Sequence, residues 1–588
     1  MGKKESNRQT LRWLFKVTGR NKVKMVFLLL VQVILGISSV GFAWLLRGVI
    51  DSAVIKDTRG FYLYAVFLAV LTFCQILLRA ADRFLSESSR SSLENCFKSR
   101  LFHVLLERDY ASVTAVHSGE WMNRLTSDTA VAADGMTSIL PGLAGMTVKL
   151  TGALALILAL VPAFTWVLLP GSAFLIVFTY TFRKVLKKLH RRVQEADGRL
   201  RVFLSERLSS LLIVRAFAHE RQTVCEAEEK MEDHKRARMQ KNYFSNLCNA
   251  GFVSVVRGVY VLGAVYCGYG ILMDTISYGT FTAVIQLIGQ IQSPFANITG
   301  FLPQYYAVLA SAERLMEAED YAEDCGKEML TEAEIQLFYE REFAAIGLEH
   351  ASFTYLPPVR GREEVTKEKM PIVVHDLKLQ IRKGEYIAFT GSSGCGKSTI
   401  LKLLMCLYPL DSGERYLLGK DGTRLKLTGR YRRLFAYVPQ GNQLMSGTIR
   451  EIVGFGDLQR MQNEPGIWKA LSIACAEEYV RELKDGIDTM LGEHGLGLSE
   501  GQMQRIAIAR AVFSGNPVLL LDESTSALDT ESEQRLLTNL RSMTDRTVLI
   551  VTHRPAVLKI CDRQAVVTEK GIRMNEWRKL RKKEEEEL

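Results

Sequence analysis

The chain of 588 residues is too long for one ordinary hydrophobic core. With 48% hydrophobic and 24% charged residues and a mean hydropathy of +0.05, its apolar residues must be segregated into their own segments. The net charge of +11 is compatible with binding of nucleic acid. However, the basic residues cluster beside long apolar runs, which indicates the cytoplasmic face of a membrane protein. One such cluster contains Arg183, Lys184, Lys187, Lys188, Arg191 and Arg192. We therefore expect a lipid bilayer and no nucleic acid as partner.

Apolar stretches long enough to cross a bilayer follow a polar, basic stretch at 1–22. A membrane-spanning helix needs roughly 20 predominantly apolar residues. The segments that meet this requirement predict a six-helix all-α transmembrane domain: 23–46, 61–78, 141–161, 164–182, 252–273 and 281–301.

The connections between these segments predict their orientation. The regions 79–135 and 183–245 are long, charged and helix-periodic, and their excess of Lys and Arg places them in the cytoplasm together with both termini. The turns at 162–163 and 274–277 are short and carry few bases. Such short outward loops indicate a multi-pass protein of a plasma membrane, the bacterial inner membrane, rather than of an organelle.

Two cations interrupt the apolar segments, Lys149 in the third and Arg257 in the fifth. Charge inside a membrane helix is costly and tends to face a cavity or a partner, so both residues are candidates for binding an anionic head group of a substrate. The alternative is that both lie near the inner interface and extend their charged ends into water.

A second domain begins after the last apolar segment. Composition becomes acidic over 320–342, and from Phe343 onward residues alternate as in a sheet. The predicted division is a transmembrane domain at 1–320, a linker at 321–342 and an α/β P-loop nucleotide-binding domain at 343–588.

The stretch GSSGCGKST at 391–399 satisfies the phosphate-binding pattern G-x-x-x-x-G-K-S/T between a strand-like run and a helical one. Its glycines let the backbone curl around an anion, and the new helix adds its positive end. We expect Lys397 to reach the β and γ phosphates and Ser398 to hold Mg²⁺. The nucleotide-binding residues predicted here are Gly391, Ser392, Ser393, Gly394, Cys395, Gly396, Lys397, Ser398 and Thr399.

The ten cysteines include no C-x-x-C pair, so neither a disulfide framework nor a zinc site is indicated, and the compartment is expected to be reducing. Cys395 stands apart because it lies beside Lys397 at a helix start. Both features favour thiolate, so we expect Cys395 to alkylate faster than cysteines in membrane spans or buried strands. The alternative is that the loop backbone shields its sulfur and another cysteine reacts.

Two residues outside the phosphate loop are candidates for the same site. Tyr355 precedes the loop and is suited to stack on adenine, the alternative being a tyrosine on an edge strand. Gln440 follows the strand-like run 435–438, and its amide is suited to complete the Mg²⁺ shell and sense the γ-phosphate.

The run 498–502, LSEGQ, opens a predicted helix and offers a second N-terminus for phosphate, unless it is a simple helix cap. A buried parallel strand follows at 518–521 and ends in Asp522 and Glu523. Asp522 is placed to hold the metal through water, and Glu523 to orient or deprotonate the attacking water.

Two further elements complete the predicted site. The turn 526–529 ends in Asp529, and the β-rich run 547–552 delivers His553 to the same sheet edge. An isolated histidine is usually structural, but one that ends a core strand after the other phosphate-site elements is predicted to be catalytic.

These motifs resemble those of the ATP-binding cassette (ABC) family, specifically exporter-type half-transporters. The resemblance identifies 391–399 with Walker A, 518–522 with Walker B, Glu523 with the catalytic glutamate, Gln440 with the Q-loop, Ser499, Glu500, Gly501 and Gln502 with the signature, Asp529 with the D-loop, His553 with the switch histidine and Tyr355 with the A-loop. In that family two cassettes bind two ATP molecules, each between one chain's Walker motifs and the other's signature. A single copy of each motif therefore implies a dimer, with ATP and Mg²⁺ as cofactors.

Looser matches and departures accompany the resemblance. Residues 492–495 are similar to the exporter X-loop, and 117–120 and 211–220 to segments at or near the coupling helices. Glu500 stands where the commonest signature has glycine, and 356–370 inserts a charged loop after Tyr355. Ser499 and Gly501 are intact, so we expect a competent site. The departure keeps open a heterodimer whose two sites differ, as well as a homodimer.

The resulting functional hypothesis is an ATP-driven exporter of a small molecule, lipid or peptide, which alternates between inward-facing and outward-facing states. Six apolar segments argue against a soluble cassette ATPase of the DNA-repair kind. A membrane regulator that uses ATP only as a switch is the alternative, and Glu523 and His553 favour turnover. Import is disfavoured because importers of this superfamily usually carry the two parts on separate chains.

Overall fold

The computed structural model describes residues 3–324, 326, 328–355, 372–441, 444–492, 497–568 and 571–576. The predicted insertion at 356–370 and residues 493–495 of the predicted X-loop lie outside these ranges. The chain forms two compact units, Met1–Arg100 with Arg124–Met316, and Leu101–Asn123 with Glu317–Leu588.

The N-terminal half of the chain is helical. Its long helices continue well beyond the apolar segments, because charged but helix-periodic residues extend them. The helices are α1 Lys3–Val17, α2 Lys22–Val54, α3 Thr58–Glu107, α4 Tyr110–Thr114, α5 Ser118–Asn123, α6 Thr129–Leu160, α7 Thr165–Ser209, α8 Leu211–Ala216, α9 Glu220–Leu272 and α10 Tyr278–Glu317.

Within the described part of the chain, four helical stretches are long and apolar enough to cross a bilayer: Gly19–Val54, Thr58–Glu107, Ser118–Leu160 and Glu220–Leu272. They contain the predicted segments 23–46 and 61–78, and all but the last residue of 141–161 and 252–273. The other two, 164–182 and 281–301, fall almost entirely within the long helices α7 and α10. The count of six spans stays a prediction.

Close packing in the first unit depends on small residues and on an ion pair between the buried Asp128 and the partly exposed Arg314. Helix α2 packs along α6, where a side chain at Gly36 would meet the Gly145 carbonyl oxygen at 3.0 Å. Before α6, the buried Asp128 accepts hydrogen bonds from Ser311 Oγ at 2.8 Å and from Arg314 Nε at 2.7 Å, both on α10. The N-terminal end of α6 is thereby fixed to α10.

The second unit combines strands and short helices. Its strands are β1 Phe343–Phe353, β2 Val374–Arg382, β3 Tyr386–Thr390, β4 Ser412–Gly419, β5 Arg424–Lys426, β6 Phe435–Val438, β7 Gly447–Thr448, β8 Met490–Leu491, β9 Val518–Asp522, β10 Thr547–Val551, β11 Arg563–Thr568 and β12 Gly571–Asn575. Its later helices are α11 Glu332–Arg341, α12 Lys397–Leu404, α13 Ile449–Gly454, α14 Glu464–Ile473, α15 Glu477–Glu482, α16 Glu500–Phe513, α17 Thr530–Arg541 and α18 Pro555–Leu558.

The main sheet has the strand order β12-β11-β3-β10-β9-β6, and all neighbours are parallel except β12 with β11. An antiparallel sheet, β2-β1-β4-β5, forms a second layer. On β9, Leu519 and Leu521 pack in one hydrophobic cluster and Val518 and Leu520 in the other. Burial on both faces explains the unbroken apolar run of this strand and confirms its predicted parallel type.

The segment Leu101–Asn123 belongs to the second unit although it lies between long helices. The Asp109 amide donates to the Ala322 carbonyl at 2.9 Å, and the Asp324 amide to the Glu107 carbonyl at 3.0 Å. The ring of Tyr110 also meets Tyr408 edge-on, with 5.6 Å between centroids.

Candidate functional site

The site lies at one edge of the main sheet. Strands β3, β6, β9 and β10 are parallel neighbours in this sheet, so their carboxyl ends meet at the same edge. The residues that follow these strands include the phosphate loop, Gln440, Glu523 and His553.

The phosphate loop joins β3 to α12, as its motif predicted. Gly391 has φ +144°, and a Cβ there would lie 2.3 Å from the Val567 carbonyl oxygen. Gly396 caps α12 with φ +93°. Both positions therefore require glycine. Lys397 Nζ donates to the carbonyl oxygens of Gly391 at 3.0 Å and Ser392 at 2.9 Å, so the ammonium lies against the loop.

Asp522 is held between two hydroxyl groups. Ser398 Oγ donates to Asp522 Oδ1 at 2.8 Å, and the Tyr437 hydroxyl donates to Oδ2 at 3.0 Å. Burial raises the pKa of Asp522, and the two hydrogen bonds act in the opposite direction by stabilising the carboxylate. The carboxylate and the hydroxyl that were predicted to share the metal thus lie in direct contact.

Glu523 lies between Gln440 and His553, which were both predicted to belong to this site. Gln440 Nε2 donates to Glu523 Oε2 at 2.6 Å, and His553 Nε2 is 3.5 Å from Oε1. The Glu523 backbone has φ +50°, and its amide donates to the Val551 carbonyl. A glutamate in the left-handed region costs about 1–3 kcal/mol, which the surrounding contacts must offset. This conformation turns the carboxylate away from the direction that a continued strand would give it.

Tyr355 lies beside the phosphate loop, with its hydroxyl 3.1 Å from Thr399 Oγ1. Its ring is 37% exposed and meets Phe353 and Tyr408 edge-on, at 4.8 and 5.3 Å between centroids. The aromatic neighbours fix the ring orientation and leave part of its surface accessible.

The signature residues begin α16. Ser499 forms a capping box with Gln502: the Gln502 amide donates to Ser499 Oγ at 3.3 Å, and the Ser499 amide to Gln502 Oε1 at 2.8 Å. Glu500 is the acidic residue of the first turn. A side chain at Gly501 would meet the Ala527 carbonyl oxygen at 2.7 Å, so the signature packs against the turn 526–529 of its own chain.

Asp529 caps α17 by accepting from the Ser532 amide at 2.8 Å, and this hydrogen bond lowers the pKa of its carboxyl. The turn before it is fixed by Arg554, the residue after His553. Its guanidinium donates to the carbonyl oxygens of Ser526 at 2.6 Å and Leu528 at 2.9 Å.

Cys395 is only 8% exposed and packs in the hydrophobic cluster beneath the loop. Burial opposes the fast alkylation expected from its sequence position, because a reagent must reach the sulfur before thiolate character matters. Cys225, which lies outside the apolar segments, is exposed by comparison. The packing of the loop thus favours the alternative, in which the sulfur is shielded.

Lys149 and Arg257 lie on helices with different main neighbours, since α6 packs along α2 and α9 along α7. Lys149 is half-buried and has Arg79 on α3 as a charged neighbour, while Arg257 is exposed. That Lys149 and Arg257 share one cavity stays a prediction.

Tyr437, Tyr408 and Arg554 were missed as site residues. Tyr437 stands in the run before Gln440, but its contact with Asp522 depends on the pairing register of β6 with β9. Tyr408 and Arg554 contact residues more than 20 positions away. Of these three residues, only Arg554 could have been suspected from the sequence, because it directly follows His553.

Two family models match the chain: the ABC transporter transmembrane region over residues 25–295, and the ABC transporter model over residues 374–526. An uncharacterized ABC transporter ATP-binding protein of Bacillus subtilis, YwjA, is 30% identical over 500 residues, which cover 82% of this chain and 80% of the relative. The chain belongs to the ABC transporter family. The transporter thus fuses a membrane region to an ABC ATPase domain, as predicted, and binding of ATP follows from that domain.

Other relatives of the transporter are exporters. An ATP-dependent lipid A-core flippase of Mannheimia succiniciproducens is 27% identical, over 96% of this chain and 93% of its own. A leukotoxin translocation ATP-binding protein of Bibersteinia trehalosi is also 27% identical, over 94% and 75%. A solved structure of a bacterial Atm1-family ABC exporter with ATP bound matches with a TM-score of 0.75, 19% identity and 97% coverage of each chain. These likenesses support ATP hydrolysis coupled to transport in general, while the named cargoes differ.

Proposed function

We propose that the transporter is one half of an ATP-driven exporter that moves a small molecule, lipid or peptide out of the cytoplasm by alternating access. The observation that carries this proposal is the contact of Glu523 with both Gln440, at 2.6 Å, and His553, at 3.5 Å. A switch that only binds ATP does not need a carboxylate oriented from two sides. This arrangement favours turnover over regulation.

In the proposed reaction, water attacks the γ-phosphorus of ATP and gives its proton to Glu523 as the general base. A new phosphorus–oxygen bond forms, and the bond to the β–γ bridging oxygen breaks, so ADP leaves with that electron pair. Lys397 neutralises charge on the β and γ phosphates, and His553 donates to the γ-phosphate. Gln440 holds Glu523 in position for the attacking water.

The residues at this edge suit Mg²⁺. A hydroxyl from Ser398 and an amide oxygen from Gln440 are oxygen ligands that suit Mg²⁺ beside substrate phosphates, and the carboxylate of Asp522 would hold the metal through a bound water. Across the described ranges, no group of three or more His, Cys, Asp or Glu side chains forms another candidate metal site. When bound, Mg²⁺ would neutralise charge on the phosphate oxygens.

We propose that two half-transporters form the working unit, as a homodimer or with a related chain. Residues Ser499, Glu500, Gly501 and Gln502 of each chain would contact the nucleotide held by the other. Glu500 adds negative charge at the N-terminus of α16, which opposes a phosphate at that position.

For the membrane part, we propose six spans with both termini in the cytoplasm of a bacterial cell. The helices α7 and α10, of 45 and 40 residues, are long enough for the two spans beyond the four apolar stretches. The transmembrane division would end near residue 320, and the cassette would begin at 343.

The substrate proposal rests on Lys149 and Arg257. Cations on membrane helices favour an anionic group in the cavity, and the neighbouring Arg79 strengthens this preference at Lys149. A lipid head group or an acidic peptide would supply such charge. The alternative is that the cations reach the inner interface.

Glu523→Gln tests the proposed reaction. In purified protein in lipid nanodiscs, this variant should lose ATPase activity by about 10²–10⁴-fold, because the amide cannot accept the proton of water. Binding of ATP should remain. Glu482→Gln, which changes an exposed carboxylate on α15, serves as the matched control and should hydrolyse ATP at the wild-type rate. Wild-type hydrolysis by Glu523→Gln would refute the assignment.

A further inference from the structure

Tyr437 extends along the same face of the sheet as Asp522. On β6 it pairs with Leu520 of β9, and residues two apart on a strand share a face. The two positions are about 6.6 Å apart along the strand at about 3.3 Å per residue, which is close to the reach of a tyrosine side chain. The Tyr437 hydroxyl accordingly meets Asp522 Oδ2 at 3.0 Å.

The carboxylate of Asp522 is held at both oxygens. Ser398 donates to Oδ1 at 2.8 Å and Tyr437 to Oδ2, while Asp522 itself is only 1% exposed. Rotation of the carboxylate about its Cβ–Cγ bond would therefore break at least one hydrogen bond. Ser398 is also a proposed metal ligand, whereas Tyr437 is proposed only to hold Asp522.

The same stretch of chain also contacts the second acid. Gln440 lies three residues after Tyr437 and donates to Glu523 Oε2. The end of β6 thus contacts both acids at the end of β9, one through a phenol and one through an amide. Asp522 and Glu523 therefore both accept hydrogen bonds from residues at or just after the end of β6.

We propose that Tyr437 is a positioning residue that fixes the orientation in which Asp522 meets Mg²⁺ and its bound water. The inference rests on the proposed ATP hydrolysis and adds a residue to it. Tyr437 acts through Asp522 and does not touch the nucleotide. Its removal should weaken metal binding without weakening metal-free nucleotide binding.

The test uses Mn²⁺ as a spectroscopic probe for the Mg²⁺ site. Binding of Mn²⁺ is followed by electron paramagnetic resonance on the purified full-length protein with a non-hydrolysable ATP analogue. Tyr437→Phe should weaken Mn²⁺ binding about tenfold, which corresponds to about 1.4 kcal/mol and to loss of a hydrogen bond to a charged group. Binding of the analogue in EDTA should be unchanged.

Tyr386→Phe is the matched control. The Tyr386 hydroxyl donates to the carbonyl oxygens of Leu540 and Met543, away from the metal residues, so its removal also deletes buried hydrogen bonds of a sheet tyrosine. It should bind Mn²⁺ as the wild type does.

Three results would overturn the inference: unchanged Mn²⁺ affinity in Tyr437→Phe, an equal loss in Tyr386→Phe, or weaker binding of the analogue in EDTA. If the wild type shows no nucleotide-dependent Mn²⁺ binding, the proposed Mg²⁺ site fails as well. If the wild type binds Mn²⁺ and Tyr437→Phe binds it equally well, only the role of Tyr437 is refuted.

Discussion

Arg554, the residue after His553, holds the turn that precedes α17. Besides the carbonyl oxygens of Ser526 and Leu528, its guanidinium lies 3.1 Å from Glu533 Oε2. The Glu533 side chain is 4% exposed and that of Arg554 34%. Replacing Arg554 with methionine would therefore leave a carboxylate buried without its cation.

The size of the effect follows from this burial. Breaking a buried ion pair costs about 3–5 kcal/mol, and the partial exposure of Arg554 reduces this to about 2–3 kcal/mol. At about 2–4 °C per kcal/mol for a large domain, the unfolding temperature of the second unit should fall by about 5–10 °C. Differential scanning fluorimetry of the nucleotide-free protein measures this shift.

Two further variants make the test specific. Arg535→Met removes a cation from an ion pair with Glu478 in which both side chains are exposed, so it should change stability by less than about 1 kcal/mol. Combining Arg554→Met with Glu533→Leu removes both charges and should recover at least half of the loss. If Arg554→Met destabilises no more than Arg535→Met, the buried pair does not anchor this turn.

Two other predictions concern cysteine and membrane chemistry. N-ethylmaleimide should label Cys395 more slowly than the exposed Cys225, and bound MgATP should protect Cys395. The variant Cys395→Ala should keep its ATPase activity in the reagent. Peptide mapping that finds Cys395 unmodified while activity falls would contradict this prediction. Neutralising Lys149 and Arg257 together should reduce the stimulation of ATPase activity by anionic lipids or acidic peptides, and unchanged stimulation by both classes would rule out the cavity hypothesis.

Local sequence predicted the elements of the site because each motif contains its own turn or cap. The phosphate loop joins a strand to a helix, Ser499 caps α16, and β9 is buried on both faces. Each of these features depends on neighbouring residues, whose types and spacing are read directly. The predicted roles of Glu523 and His553 in hydrolysis stay predictions.

Contacts that depend on register or long-range packing could not be predicted. The hydrogen bond of Tyr437 to Asp522 requires the alignment of β6 with β9, and that of Arg554 to Leu528 requires the path of a turn. The predicted span 61–78 lies within α3, which continues to Glu107 through charged residues that the sequence had indicated to be helix-periodic. Hydropathy detects lipid-compatible residues, whereas a helix continues wherever its backbone hydrogen bonds do.

The segment Leu101–Asn123 also imposes an order on biosynthesis. Its partners in the second unit, Ala322 and Tyr408, are translated about 200 and about 300 residues later, which at about 5–20 residues per second is a delay of roughly 10–60 s. During that interval Asp109 and Tyr110 have no partner strand or ring to bind. The residues between these partners, 124–316, must be synthesised before this segment can dock, so the first unit is translated before the cassette is complete.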